Sequence, residues 1–290
     1  MTIFELVKIA LDQLYADGSA EHGDKLDKKI VASLKYLTES YGSLQDKNRK
    51  PVNYHDPAIR FAYVFKYVAA HGDYILQVLR KLRDALGGKI FLNQPVRVSC
   101  IGGGPGSEII ALIKYLNENT DVEPVQKVIC YLLDSEQSWA DIWTELDESL
   151  ESSIKVNTNF QPFDVTKPKS WEAQKKFLQA DIFIMSYFVS EVKSRDHDGS
   201  VSEFWQKLIE GAKLGSLFLY IDNGHTDFTN YFDNLCQSGN LNKIISSSNV
   251  RLTPSYSERK SELADYESKF GHSPKLQGQV SFRVFRKSEG

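Results

Sequence analysis

The chain lacks the marks of a secreted, membrane-spanning or disulfide-stapled protein. Its 290 residues hold three cysteines, Cys100, Cys130 and Cys236, an odd number set far apart. Free buried thiols in a reducing compartment are the expectation. No Cys-x-x-Cys pair occurs, and His197 between two aspartates in "SRDHDGS" looks like a solvated loop, so no metal site is expected. No apolar run is long enough to cross a membrane, and the start "MTIFELVKIALDQLYADGS" has acids where a signal peptide has bases. A cytoplasmic protein follows as the expectation, with the nucleus left open. The formal net charge of -3 gives no broad positive surface for coating nucleic acid. A Gly-x-Ser-x-Gly nucleophile elbow is also missing, and no hydrolase triad can be assembled.

What is present is a core. Apolar residues make up 41% of the chain and charged residues 25%, a globular balance. Two zones follow each other. Residues 1–88 read as helices: "IFELVKIALDQLY", "DKLDKKIVASLKYLTESYG" and "DPAIRFAYVFKYVAAHGDYILQVLRKLRDAL". Asp56 and Pro57 form a helix start, Gly87 and Gly88 a stop, and His71 is read as an end-of-helix residue. Asn53, Tyr54 and His55 stand where a lid can form. Residues 89–290 alternate strand and helix: "VRVSCI", "KVICYLLD", "IKVNTNFQPFD", "ADIFIMSYF" and "GSLFLYIDN" read as strands. "NVRLTPSYS" and "QVSFRVFRK" read as an antiparallel closing pair. Apolar strands joined by helices predict an α/β fold with a mostly parallel sheet covered on both faces. The first zone is expected to cap it, because the connection to "VRVSC" is short and Ile75, Leu76, Leu79 and Leu82 recur at helical spacing.

The most informative stretch is "VRVSCIGGGPGSEIIALIKYL", residues 96–116. Gly102, Gly103, Gly104 and Gly106 let the backbone turn sharply and approach a ligand, and Ser107 can cap the helix that begins there. A P-loop needs Lys and then Ser or Thr after its last glycine; Ser107 and Glu108 stand here instead. Glu108 in the first helical turn would repel a diphosphate, which favours a ligand with little negative charge at the turn. Asp134 ends the second strand, beside the tip of the first, where a carboxylate can accept both hydroxyls of a ribose. Capping of the segment from Ser135 is its alternative role. Asp164 lies near the third strand's end, with turn capping as its own alternative.

This ordered set resembles the class I S-adenosylmethionine-dependent methyltransferases from about residue 96 to 220. The resemblance implies a Rossmann-like seven-stranded sheet with an antiparallel seventh strand, and S-adenosyl-L-methionine as cofactor. "IGGGPGS" looks like the family's glycine-rich motif, Asp134 its ribose-binding acid and Asp164 its adenine-contacting acid. The implied cofactor site comprises Gly102, Gly103, Gly104, Gly106, Ser107, Glu108, Asp134, Ser135, Phe163, Asp164, Val165, Ser186 and Tyr187. Two departures stand out. Cys100 occupies the place of an acid that holds the methionine amine, with Glu108 a nearby substitute. "SYFVSE" replaces the Asn/Asp-Pro-Pro-aromatic signature of enzymes that methylate base or glutamine nitrogens. Tyr187, Glu191 and His225 are the candidate catalytic residues, beyond strand tips facing the methyl group. A small-molecule or protein acceptor is the preferred expectation. RNA, through "QDKNRK" or "LRKLRD", and an inactive scaffold are the alternatives.

Overall fold

The computed structural model describes residues 1–44, 46, 50–92, 94–196 and 198–288. Helices α1 (Ile3–His22), α2 (Leu26–Gly42), α3 (Pro57–Tyr63) and α4 (Ala69–Ala85) precede the sheet. Then come β1 (Val96–Ile101), α5 (Ser107–Glu118), β2 (Lys127–Asp134), α6 (Trp139–Glu148), β3 (Lys155–Pro162) and α7 (Pro168–Trp171). The chain continues through β4 (Ile182–Ser186), α8 (Val189–Val192), α9 (Ser200–Gly211), β5 (Leu217–Asn223) and α10 (Thr226–Ser238). It ends with β6 (Leu241–Leu252), α11 (Ala264–Phe270) and β7 (Gly278–Lys287).

The seven strands form one sheet in the order β3-β2-β1-β4-β5-β7-β6. The first five run parallel, and β7 enters antiparallel between β5 and β6. The expected mostly parallel sheet with its antiparallel seventh strand is therefore present. Alternation along the strands splits the apolar side chains between two cores. Val98, Cys100, Val128, Leu132 and Ile184 join the core shared with α4, α5 and α6. Ile101, Leu133, Phe183, Met185 and Tyr220 join the other, closed by Trp171, Phe204, Trp205 and Phe232. All three cysteines are buried free thiols. No helix among the described residues is long and apolar enough to span a membrane.

Two readings of the sequence are corrected, and one helix was not read at all. The strand expected over "NVRLTPSYS" begins at Leu241 and ends at Leu252. This edge strand shows one face to solvent, so its "LNKIISSS" start lacks the apolar alternation that marks a paired strand. The segment after β5 forms helix α10, whose mixed polar and aromatic sequence gave no helical signal. His71 lies inside a helical run, not at its end. Residues Val64–Val68 make a π-turn between α3 and α4, and His71 follows it near the start of α4, 5% exposed.

The N-terminal helices share the first core, which runs without a break from Ile3 to Val284. Polar groups stitch them to the far end of the chain. Thr2 and Glu5 make a capping box at the start of α1. The buried Glu258 carboxylate then accepts from the backbone N–H groups of Ile3 and Phe4, at 2.8 and 3.3 Å, and pairs with Lys114 at 3.1 Å. Tyr266 donates to Asp12 at 2.7 Å, and Arg259 meets Glu5 at 2.6 Å. At α3, Asp56 accepts from Ala58 N–H at 2.9 Å with Pro57 in the first turn, the helix start read from the sequence.

Candidate active site

A cleft of about 110 Å³ opens over the C-terminal tips of β1, β2, β3 and β4. In a parallel α/β sheet this edge is where side chains from several strands converge. Gly102, Gly104, Asp134, Ser135, Phe163, Asp164, Val165, Ser186, Tyr187 and Glu191 all line it. Gly103, Gly106, Ser107 and Glu108 belong to the same turn without lining the cleft.

The turn is held from both sides. The Gly102 and Gly103 N–H groups donate to the Leu133 carbonyl at 2.8 and 3.2 Å, tying the end of β1 to β2. The Gly104 N–H donates to Asp134 Oδ2 at 3.0 Å. Gly102 has φ +66, and a Cβ there would stand 2.1 Å from the Phe188 ring; only glycine combines that backbone with that contact. Gly106, also at positive φ, sits under Trp143, where a Cβ would approach to 2.3 Å. Gly103 packs on Leu132 and Cys100. Ser107 was expected to cap α5, but the N-cap position is Gly106, and the serine hydroxyl donates to Glu108 Oε2 at 3.2 Å.

The carboxyl groups fall into different environments. Asp134 Oδ1 accepts from Glu136 N–H at 3.0 Å, so each of its oxygens already has one backbone donor and keeps a lone pair for another. Burial pushes its pKa up to about 6, against the two backbone bonds that lower it. Asp164 is also pushed up by burial, but bonds from Thr166 and Lys167 and the Arg195 charge outweigh that and hold it below its ordinary value. Glu108 is 2% exposed, and loss of water pushes its carboxyl up to about 8, so it is mostly neutral at pH 7. Glu108, the nearby acid offered as a substitute at Cys100, lies outside the cleft wall.

The outer wall comes from the N-terminal helices and the connection between α2 and α3. Tyr41, Pro51, Val52, Tyr54 and Tyr63 face the strand tips, and Trp139 closes the side. The Tyr54 ring lies 5.0 Å from Trp139 and 5.3 Å from Tyr63, and its hydroxyl bonds that of Tyr41. Tyr54 thus stands where a lid was expected. His55 is exposed, and both it and Tyr54 use their carbonyls to hold Arg60.

A second cavity of about 60 Å³ adjoins the first and shares Tyr41, Tyr63, Tyr187 and Glu191 with it. Its remaining lining includes Tyr67, His71, Ser190, Asn223 and Lys275. Tyr187 holds φ +54, an uncommon backbone for a tyrosine, and its ring stacks on His71 with centroids 3.8 Å apart. Its hydroxyl turns toward Gly278, 3.6 Å from where a Cβ there would sit.

His225 does not reach this site. It is exposed before α10 and lines an open depression with Gly224, Asn249 and Gln279, which adjoins the second cavity through the shared Asn223 and Lys275. The segment "QDKNRK" falls largely outside the described residues, as does His197. Tyr41, Trp139, Lys275 and the buried position of His71 were not legible in the sequence. Only Trp139, five residues after Asp134, carried a local signal.

A protein-family model described as "Putative SAM-dependent methyltransferase" matches residues 46–225. No curated protein sequence matches the chain. Among solved structures it is similar to a "putative RNA methyltransferase" from Pyrococcus horikoshii, at 14% identity and TM-score 0.43. That match covers 88% of this chain and 96% of that one. It is also similar to a "putative sarcosine dimethylglycine methyltransferase" from Galdieria sulphuraria, at 11% identity and TM-score 0.42, over 76% and 85% of the two chains.

Proposed function

The chain belongs to this family within the class I S-adenosylmethionine-dependent methyltransferases, and from that premise we propose that it binds S-adenosyl-L-methionine in the strand-tip cleft. We propose further that it transfers the methyl group to a small-molecule or protein acceptor. The observation that carries this reading is the convergence of Gly102, Gly104, Asp134, Phe163, Asp164 and Ser186 on one cleft that opens to a second cavity at Tyr187 and Glu191.

The residues suit the cofactor's chemistry. Gly104 is the glycine of the turn whose missing side chain leaves room: a Cβ there would meet Trp139 and Asp134 only at 3.8 and 4.0 Å. Asp134 keeps lone pairs for ribose hydroxyls, and Phe163 and Val165 supply an apolar seat beside Asp164 for a base. When bound, the cofactor supplies a methyl group on a positively charged sulfur. The protein's part is to align the acceptor and exclude water, which Tyr41, Tyr54 and Tyr63 do by roofing the junction. Burial raises all three hydroxyls well above the ordinary tyrosine range, so they remain neutral donors.

Calorimetric titration with S-adenosylmethionine and, separately, NAD tests the reading. The expected result is binding of the first alone; NAD binding without a response to S-adenosylmethionine defeats it. An RNA acceptor is a second reading, favoured by Arg195 in the cleft and by Lys275 in the cavity among tyrosine rings. Retention of total RNA at two salt concentrations discriminates: firm, salt-sensitive binding supports RNA over a small molecule. Cofactor binding with no methyl transfer to protein, RNA or metabolite pools would mark a scaffold.

A further inference from the structure

The second cavity looks at first like a cage for a cation: four tyrosine rings, Tyr41, Tyr63, Tyr67 and Tyr187, with Glu191 at the shared wall. The protein has already placed a cation there. Lys275 Nζ lies 5.7 Å from the Tyr187 ring centroid and 5.8 Å from that of Tyr67. Its backbone N–H is fixed to the Lys66 carbonyl at 2.8 Å, and its ammonium makes no ion pair among the described residues. A second ammonium in this space would meet a like charge. An oxygen would meet a half-buried donor with hydrogens to spare.

His71 stands on the same wall. It is 5% exposed, its Nε2 has no hydrogen-bond partner, and its ring is clamped against Tyr187. An unpartnered buried polar atom costs stability unless a ligand or solvent satisfies it. The π-turn just before α4 is the kind of irregularity that re-aims side chains at functional sites. Tyr67, Tyr74, Tyr187, Glu191 and Lys275 are the titratable groups around the imidazole. Burial first, and then the Lys275 charge, hold it well below its ordinary pKa, so it is a neutral ring able to accept a hydrogen.

We propose that this cavity is the acceptor site, that His71 Nε2 accepts from the acceptor's N–H or O–H, and that Lys275 donates to an oxygen on the same molecule. The class selected is a neutral or anionic acceptor with a protic nucleophile, not an ammonium. This rests on the methyltransferase reading. As the acceptor's lone pair forms the bond to the methyl carbon, the carbon–sulfur bond breaks with its electron pair on sulfur. The acceptor's proton passes to His71 Nε2. His71 takes the place that sequence reasoning offered to His225.

The test uses the full chain labelled with ¹⁵N-histidine and saturated with S-adenosylhomocysteine, with phenol and tetramethylammonium as opposed probes. Phenol is expected to shift the His71 ring nitrogens, and tetramethylammonium to leave them unmoved. Lys275→Met and His71→Asn are each expected to weaken phenol binding by about tenfold or more, the worth of a charge-assisted or buried hydrogen bond. Neither residue lines the cofactor cleft, and their one link to it is the shared Tyr187, so S-adenosylhomocysteine affinity should fall by about threefold or less, well under the loss of phenol binding. If His71→Asn fails to fold, Lys275→Met decides alone. Tetramethylammonium binding as well as phenol, or phenol leaving His71 unmoved while S-adenosylhomocysteine binds, overturns the acceptor-site proposal. A protein that does not bind S-adenosylhomocysteine loses the functional reading, and this proposal with it.

Discussion

The two walls of the cleft are built in opposite ways. The strand-tip wall is compact: Gly102, Gly104, Asp134 and Asp164 each stand at or within three residues of a strand end. Asp134 and Asp164 are held by their own following turns, and the glycine turn is held by the adjacent strand end. The outer wall is assembled from afar, from Tyr41, Tyr54 and Tyr63 before the sheet, and it continues into the second cavity with His71 and with Lys275 just ahead of the seventh strand. A local wall keeps its shape when distant parts change. The remote one exists only if the N-terminal helices, the end of the chain and the sheet fold together.

The largest effect should come from removing that wall. Deleting residues 1–88 strips one face of the shared core and leaves the buried Glu258 carboxylate without its backbone partners on α1. The expected outcome is loss of a cooperative thermal transition, followed by circular dichroism, with or without S-adenosylmethionine. A fragment of residues 89–290 that melts cooperatively would show that the strand-tip wall folds independently and that the helices merely cover it.

Next in size is a cut into the local wall. Asp134→Ala removes the acceptor offered to the ribose and the bond that steadies Gly104. S-adenosylhomocysteine affinity is expected to fall about 10- to 100-fold in calorimetry, with a smaller loss for Asp134→Asn. Because the carboxyl titrates near 6, wild-type affinity should also drop as pH falls through 6. An unchanged affinity in Asp134→Ala would place the nucleoside elsewhere.

The same contrast decides what could be read from the sequence. The glycine turn, Asp134 and the strand order were legible because each depends on residues close in the chain and on a short repertoire of α/β geometry. The inward position of His71 was missed because nothing in the helical pattern of residues 56–86 marks the π-turn that changes which side chains face inward. Lys275 gave no signal at all: its role exists only once the lead-in to β7 is folded beside Tyr187. Glu258 capping α1 across more than 250 residues is invisible for the same reason. The β6 edge strand was half-missed because its exposed face carries the polar residues that keep it from pairing further.

The smallest expected effect separates two residues within the local wall. Glu108 and Asp134 belong to the same turn region, but only Asp134 lines the cleft. Glu108 titrates near 4.5 when the chain is unfolded and near 8 when folded. Between those values the folded chain binds the extra proton, so its contribution to stability is full below pH 4.5 and is lost as pH rises through 8. Glu108→Gln removes the titration while keeping the shape and the contact with Ser107. The variant should melt close to wild type at pH 5 and several degrees above it at pH 8.5, since a shift of this size is worth on the order of a few kcal/mol. Asp222, whose carboxyl is also raised by burial, acts equally in both proteins and cancels in the difference. The Asp134 charge, by contrast, is one of the causes that raise Glu108 and belongs to the effect measured. Scanning calorimetry at the two pH values measures this directly. S-adenosylhomocysteine affinity at pH 7 should be unchanged in Glu108→Gln, since the group is neutral there and outside the cleft. A loss comparable to that of Asp134→Ala would instead make Glu108 a cofactor ligand, and the acid missing at Cys100 would then have its replacement.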